Sequence, residues 1–383
     1  MQRRVFTEEQ DDFRGVMREF LRESVASRFI EWEAAGKVPK EFYRELGSMG
    51  VLGMAVPEEY SGGGQDDYRF SAVLTEESMY ALVNLGALRV HMDIVLPYFL
   101  RYATDEQKQR WLPGMASGDL MASIAITEPG TGSDVAGIRT SAERDGDDWV
   151  LNGSKTFITG GVNADLVLVV ARTSPYQSDA RRAGLSLFVV EADREGYSVG
   201  PNMNKLGLKA QDTAELFFSD VRVPGSNLLG DEGEAFAYLG HNLPQERLSI
   251  AVGSVASAHS ALAATVEYTQ ERRAFGTPVS AFQNSKFVLA ECATDIEAGQ
   301  ALIDRALDEH SRGTLSATDA AIVKLHCTEL QARVVDKCLQ LHGGYGYMME
   351  YPIARLYADA RVTRIYGGSS EIMKSIISKS LLA

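Results

Sequence analysis

Between residues 13 and 21 the apolar side chains return at three- and four-residue steps, as Phe13, Val16, Met17, Phe20 and Leu21. That period places them on one face of a helix, and Thr7 with Gln10 supplies a T-x-x-Q capping box just ahead of it. Helical periods also run through 40–48, 67–82, 86–102 and 105–117, punctuated by Gly50, by "SGGG" at 61–64 and by Pro113-Gly114. Beyond these the period changes. "WVLNGSKTFIT" (149–159) sets Asn152-Gly153 between two runs of β-forming residues, which predicts a hairpin turning at that pair. "DLVLVVART", "LSLFVVEA" and "AELFFSDVRV" predict further strands. From about residue 231 the helical period returns, over 244–272, 283–311, 316–340 and 369–382. The expected fold is α+β: an N-terminal helical domain (1–120), a middle antiparallel β domain (121–230) and a C-terminal four-helix bundle (231–383). With no internal repeat and no low-complexity linker, the three should form one assembly.

Charge narrows the partners. Thirty-eight basic against 52 acidic residues give a net charge of −14 without a long acidic tail, which argues against nucleic acid and leaves local basic clusters to hold phosphates. Cys292, Cys327 and Cys338 stand far apart with no CxxC, so neither a disulfide framework nor a metal site is expected, only small buried residues of a reduced compartment. "MQRRVFTEEQ" has no apolar run behind it, and the most apolar long window, 80–100, is broken by Asn84, Arg89, His91 and Asp93. A soluble, cytoplasmic protein without signal or transit peptide or transmembrane segment is expected.

Three stretches carry candidate chemistry. "AITEPGTGSDVAG" (125–137) gathers Thr127, Gly130, Thr131, Gly132 and Ser133, the makings either of a surface turn or of a loop whose N–H and hydroxyl groups hold a polar ring or phosphate. "QLHGGYGYMMEYPIARLYAD" (340–359) follows Gln340 with Gly343, Gly344 and Gly346 and then Pro352, which reads as a glycine-stiffened helix connection or as backbone closing on a ligand. In "ERRAFGTPVSAFQ" (271–283), Arg272 and Arg273 suit a solvated helix C-terminus, or with Phe275 and Gln283 could grip a diphosphate.

Taken together and in order, these stretches resemble the signature motifs of the acyl-CoA dehydrogenase family, and the resemblance covers essentially the whole chain. It is closest to the long-chain branch, through "LPQERL", "KAQDTAELFF" and "YGG". It implies the acyl-CoA dehydrogenase fold and FAD bound between the β domain and the C-terminal helices of a homotetramer or dimer. Ile126, Thr127, Gly132, Ser133, Phe157, Ile158 and Thr159 would then lie along the flavin. Arg272, Phe275, Gln283, Gln340, Gly343 and Gly344 would reach the FAD of a neighbouring subunit, with Ser369 and Glu371 at the adenine side. Ser133, Pro244, Gln245, Arg247 and Gly368 would border the substrate.

The implied reaction is α,β-dehydrogenation of an acyl-CoA or acyl-carrier thioester to the trans-2-enoyl thioester, the α-proton going to a base and the β-hydride to flavin N5. An electron-transfer flavoprotein would take the electrons. Many members place the base directly after the tyrosine that here precedes Gly367. Glu246 matches the glutamate that the long-chain and isovaleryl branches use instead. On pattern alone Glu246 is equally a first-turn residue favouring its helix dipole, with Arg247 as a surface partner. Gly367 would keep a backbone N–H for the thioester oxygen. A carrier-protein-linked dehydrogenase, and a flavin monooxygenase or nitroalkane oxidase, share the same scaffold.

Overall fold

The Thr7 cap forms as the sequence predicts: its side chain accepts from Gln10 N, and Gln10 Oε1 accepts from Thr7 N at 3.0 Å. A computed structural model describes residues 3–382, and helix α1 (Glu8–Phe20) continues through one π-helical turn, Leu21–Val25, into α2 (Ala26–Ala35). Met17, Leu21, Val25, Phe29 and Trp32 lie along the buried side of this helical run. Helices α3 (Lys40–Ser48), α4 (Arg69–Tyr80), α5 (Gly86–Arg89), α6 (Leu96–Tyr102) and α7 (Asp105–Ser117) complete the N-terminal part, α5 and α6 being joined by a second π-helical segment at Val90–Val95. Pro113 and Gly114 do not punctuate this region. They lie inside α7, which stops at Gly118 (φ +80°), where a side chain would strike the Tyr43 carbonyl.

The middle part is an eight-stranded sheet: β1 (Ala122–Ala125), β2 (Ser141–Asp145), β3 (Asp148–Thr159), β4 (Leu166–Arg172), β5 (Leu185–Glu191), β6 (Tyr197–Val199), β7 (Thr213–Pro224) and β8 (Leu228–Leu229). Its order is β6-β7-β3-β2-β4-β5-β8 with β1 beside β4; the β1–β4 and β2–β4 pairings are parallel and the rest antiparallel. Asn152-Gly153 is not a hairpin turn. The chain reverses at Gly146-Asp147, and β3 runs unbroken through 152–153, where its register against β7 slips. Gly153 (φ +146°) has no room for a Cβ, which would fall 2.6 Å from Thr140 Oγ1, and Asn152 ties its amide to Asp220. The dipeptide that signals a tight turn here makes a bulge.

Helix α8 (Ala235–Glu271) begins nine residues before the expected 244 and carries Pro244 within it. By length and composition it is long and apolar enough to cross a membrane, yet 67% of that apolar window is buried against the rest of the protein. It packs against α4, and with α9 (Gln283–Ser311), α10 (Ala317–His342) and α11 (Pro352–Thr363) it encloses a core that includes Leu248, Val252, Val255, Ile296, Ile303, Leu330 and Ile353. Helix α12 (Ser370–Leu381) closes the chain, and all three cysteines are free and buried.

Candidate active site

Because α8 starts early, Glu246 falls in its interior rather than its first turn. The surface reading of this residue fails with it: Glu246 is only 7% exposed and Arg247 5%. The Tyr98 hydroxyl on α6 donates to Glu246 Oε1 at 3.3 Å. Burial raises the Glu246 carboxyl to about 7, the Tyr98 hydrogen bond and the Arg247 charge pulling only partly the other way. Arg247 Nε is buried without a partner. Behind the pair, Gln245 spans two helices, donating to the Asp93 carbonyl at 2.8 Å and facing His310 Nε2 at 3.1 Å, so its amide already serves the scaffold. Pro244 precedes it in the same turn, half-buried.

One turn along α8 from Glu246 stands Ile250, and it meets the segment after α11. Gly367 (φ +63°) and Gly368 (φ +94°) both take left-handed backbone, and a Cβ on Gly367 would lie 2.4 Å from Ile250 Cδ1. A Cβ on Gly368 would meet Met373 Cε at 2.6 Å. The turn therefore presents bare backbone against the helix face that carries Glu246. Ser369 caps α12 by accepting from Ile372 N, and its hydroxyl also bonds Glu371, which is exposed in the first turn.

The β part brings its candidates together at the C-terminal end of β3. Thr156 N donates to the Thr127 carbonyl at 2.9 Å, which sets Thr127 beside Phe157–Thr159. A second slip in β3, between Lys155 and Ile158, turns Phe157 outward: it is 67% exposed at φ +61°. An exposed aromatic held in a conformation that β-formers avoid needs a constraint, and a planar partner for its ring would supply a reason. Ile158 points the other way, into the sheet's core, and can offer a ligand only its backbone. Thr159 Oγ1 accepts from Gln211 Nε2 at 3.2 Å, so its own O–H remains available to donate. Beyond Ile126, the loop through Thr127 to Ser133 is anchored by the buried Lys155–Glu128 pair at 2.9 Å, Glu128 also accepting from Arg139 N and Thr140 N at 2.8 Å. On that loop Gly130 and Gly132 face open space and Ser133 is exposed.

A third group lies on the surface of the helical part. Gln340, Gly343, Gly344 and Arg272 line a groove of about 630 Å³ with Tyr268 and Tyr345, and the Arg272 guanidinium sits 5.2 Å over the Tyr345 ring. Nothing lies within 4 Å of a Cβ built on Gly343 or Gly344, so the groove has room beside the backbone. Phe275 stands apart from the groove, 99% exposed at φ +51° at the tip of the short hairpin of β9 (Arg273–Ala274) and β10 (Thr277–Pro278); Gln283 is exposed at the start of α9. Sequence reading did not single out Tyr98, Lys155, Gln211 or Lys324, because each acts through a partner distant in the chain: Glu246, Glu128, Thr159 and Gly368.

Family models described as the N-terminal, middle and C-terminal domains of acyl-CoA dehydrogenase match residues 7–119, 123–221 and 233–382. The chain is 45% identical over 380 residues to the long-chain specific acyl-CoA dehydrogenase, mitochondrial, of Sus scrofa, covering 99% of this chain and 88% of that protein. It superposes on a crystal structure of acyl-CoA dehydrogenase from Geobacillus kaustophilus with a TM-score of 0.97 at 44% identity, covering 99% of this chain and 100% of that one. A glutaryl-CoA dehydrogenase from Mycobacterium smegmatis, in complex with FADH2, matches with a TM-score of 0.90 at 29% identity, covering 98% and 95%.

Proposed function

Since the chain belongs to the acyl-CoA dehydrogenase family and is an oxidoreductase that dehydrogenates acyl-CoA, we propose that Glu246 is the base that removes the α-proton of its thioester substrate. The observation that carries this is the buried carboxyl of Glu246, raised to about 7 by desolvation and aligned by Tyr98, on the helix that meets a glycine turn whose residues 367 and 368 carry no side chain. A carboxylate ordinarily too weak for an α-C–H becomes competent when its basicity rises and the enolate oxygen meets a donor. The N–H of Gly367 is the proposed donor, and Arg247, buried with an unpartnered Nε, adds positive charge beside the base.

The residues present fit FAD: an outward Phe157 with Thr127 and Thr159 beside it for a planar ring, and an open groove with Arg272, Gln340, Gly343 and Gly344 for a phosphate-bearing portion. FAD, when bound, supplies the two-electron acceptor for the hydride leaving the β-carbon. Because Phe275 and Gln283 are exposed and stand outside the lining of the Arg272 groove, the proposal includes a homotetramer whose neighbouring subunit completes each FAD site. Ser133 and Gly368 border the thioester, and an electron-transfer flavoprotein accepts the electrons. Anaerobic mixing with a panel of acyl-CoAs tests the reading: the flavin should bleach with a saturated acyl-CoA and release the trans-2-enoyl product. Flavin that stays oxidised with every chain length would overturn it.

A further inference from the structure

We propose that Lys324 is a positioning residue that holds the Gly367–Gly368 turn in the shape that presents its backbone N–H groups to the thioester oxygen, a role that rests on the acyl-thioester reading above. Lys324 lies in the second turn of α10 with no exposed surface, and its Nζ donates to the Gly368 carbonyl at 2.7 Å. Among the described residues it forms no ion pair within 4.0 Å. Burying an ammonium without a carboxylate partner is unfavourable, and an apolar side chain of the same length would fill the space without that cost. The cost has a visible return in one place, the Gly368 carbonyl.

That carbonyl matters because the turn has two adjacent residues with left-handed φ and no Cβ on either, so its own backbone does little to restrict it. Helix α10 supplies the restriction from outside. Glu329 Oε1 accepts from Ser370 Oγ at 2.7 Å and from Arg364 Nε at 3.0 Å, and Gln331 Oε1 accepts from Thr363 Oγ1 at 3.0 Å. These two residues fix the ends of the segment, and Lys324 is the contact to its middle. Peptide planarity then fixes the orientation of the 368–369 peptide, and with one end of the segment held through Ser370 and the other through Thr363 and Arg364, this limits how the adjoining Gly367 and Gly368 peptides can rotate. The lysine is also depressed to about 8 by burial and by the nearby Arg247 charge, which the more distant Glu329 and Glu371 offset only in part, so at neutral pH it remains largely a charged donor, the stronger kind of hydrogen bond.

The test uses the FAD-loaded enzyme and compares Lys324→Met, which keeps the length and loses the donor, with Lys324→Gln, which keeps a neutral N–H donor. Two readouts separate positioning from general loosening: the rate of flavin reduction at saturating acyl-CoA set against substrate affinity, and the apparent pKa of bound acetoacetyl-CoA, whose acidic α-proton reports enolate stabilisation without turnover. Lys324→Met should bind acyl-CoA within about threefold of wild type, reduce flavin at least about tenfold more slowly, and raise the pKa of bound acetoacetyl-CoA by about one pH unit, with Lys324→Gln recovering part of both losses. Wild-type behaviour of Lys324→Met in both readouts overturns the proposal. So does a parallel fall of affinity, rate and thermal stability in both variants. A wild type that bleaches with no acyl-CoA overturns the acyl-thioester reading instead, and the lysine's role with it.

Discussion

At the scale of single residues, the site is built from side chains placed against their own preferences. A glutamate prefers water, and holding Glu246 buried with its carboxyl raised to about 7 makes it a stronger base and a weaker contributor to stability. The sign follows from proton binding: between the unfolded value near 4.5 and the folded value near 7 the native state holds the extra proton, so stability falls as pH rises through that window. Glu246→Gln should therefore melt at a higher temperature than wild type at pH 8, by on the order of 3 kcal/mol of stability, with the difference closing towards pH 4.5. Gly367 is the converse case, a residue defined by what it lacks. Gly367→Ala should lose about 1 kcal/mol for its left-handed backbone, and more from the clash with Ile250 Cδ1, while adding Ile250→Val to remove that methyl should recover the second part. Thermal unfolding of the single and double variants separates the two contributions.

At the scale of elements, the sequence was most legible where a local rule governs. The Thr7–Gln10 capping box, the start of α9 at Gln283 and the extents of α3 and α7 follow from periodicity and end signals that neighbours do not override. It misled where one local signal serves two geometries. Asn152-Gly153 suits a two-residue turn, but β3 pairs with β7 on both sides of it, so the glycine is used for its fit against Thr140 instead. The helical period predicted a start at 244, whereas α8 begins at Ala235 and carries Pro244 inside it. Of the site, motif resemblance reached Glu246, Gly367 and the groove residues. It could not reach Tyr98 or Lys324, whose partners lie 148 and 44 residues away along the chain. The bulge carries its own prediction. Gly153→Ala should destabilise by roughly 1–3 kcal/mol, as a Cβ there presses on the Thr140 backbone. Gly146→Ala should lose only the roughly 1 kcal/mol of its left-handed backbone (φ +65°), since a Cβ there meets nothing within 4 Å; urea unfolding monitored on the isolated variants distinguishes them.

At the scale of the whole molecule, the structural parts place complementary pieces at separate addresses: the base and the glycine turn among the helices, the outward Phe157 at the end of β3, and the Arg272 groove on the surface. A fully exposed Phe275 in left-handed backbone fits a surface covered by a second copy of the chain. Phe275→Asp should accordingly shift sedimentation towards smaller species and weaken FAD retention together, and a variant that does neither would remove this residue from the proposed subunit contact. The central claim, that Glu246 is the base, is tested most directly by the rate of anaerobic flavin reduction as a function of pH in wild type and Glu246→Gln. With Glu246 as base, the wild-type rate rises with pH through about 7 as the carboxyl ionises, and Glu246→Gln binds acyl-CoA but leaves the flavin oxidised at every pH. A Glu246→Gln enzyme that bleaches its flavin at the wild-type rate with the same pH profile would contradict it.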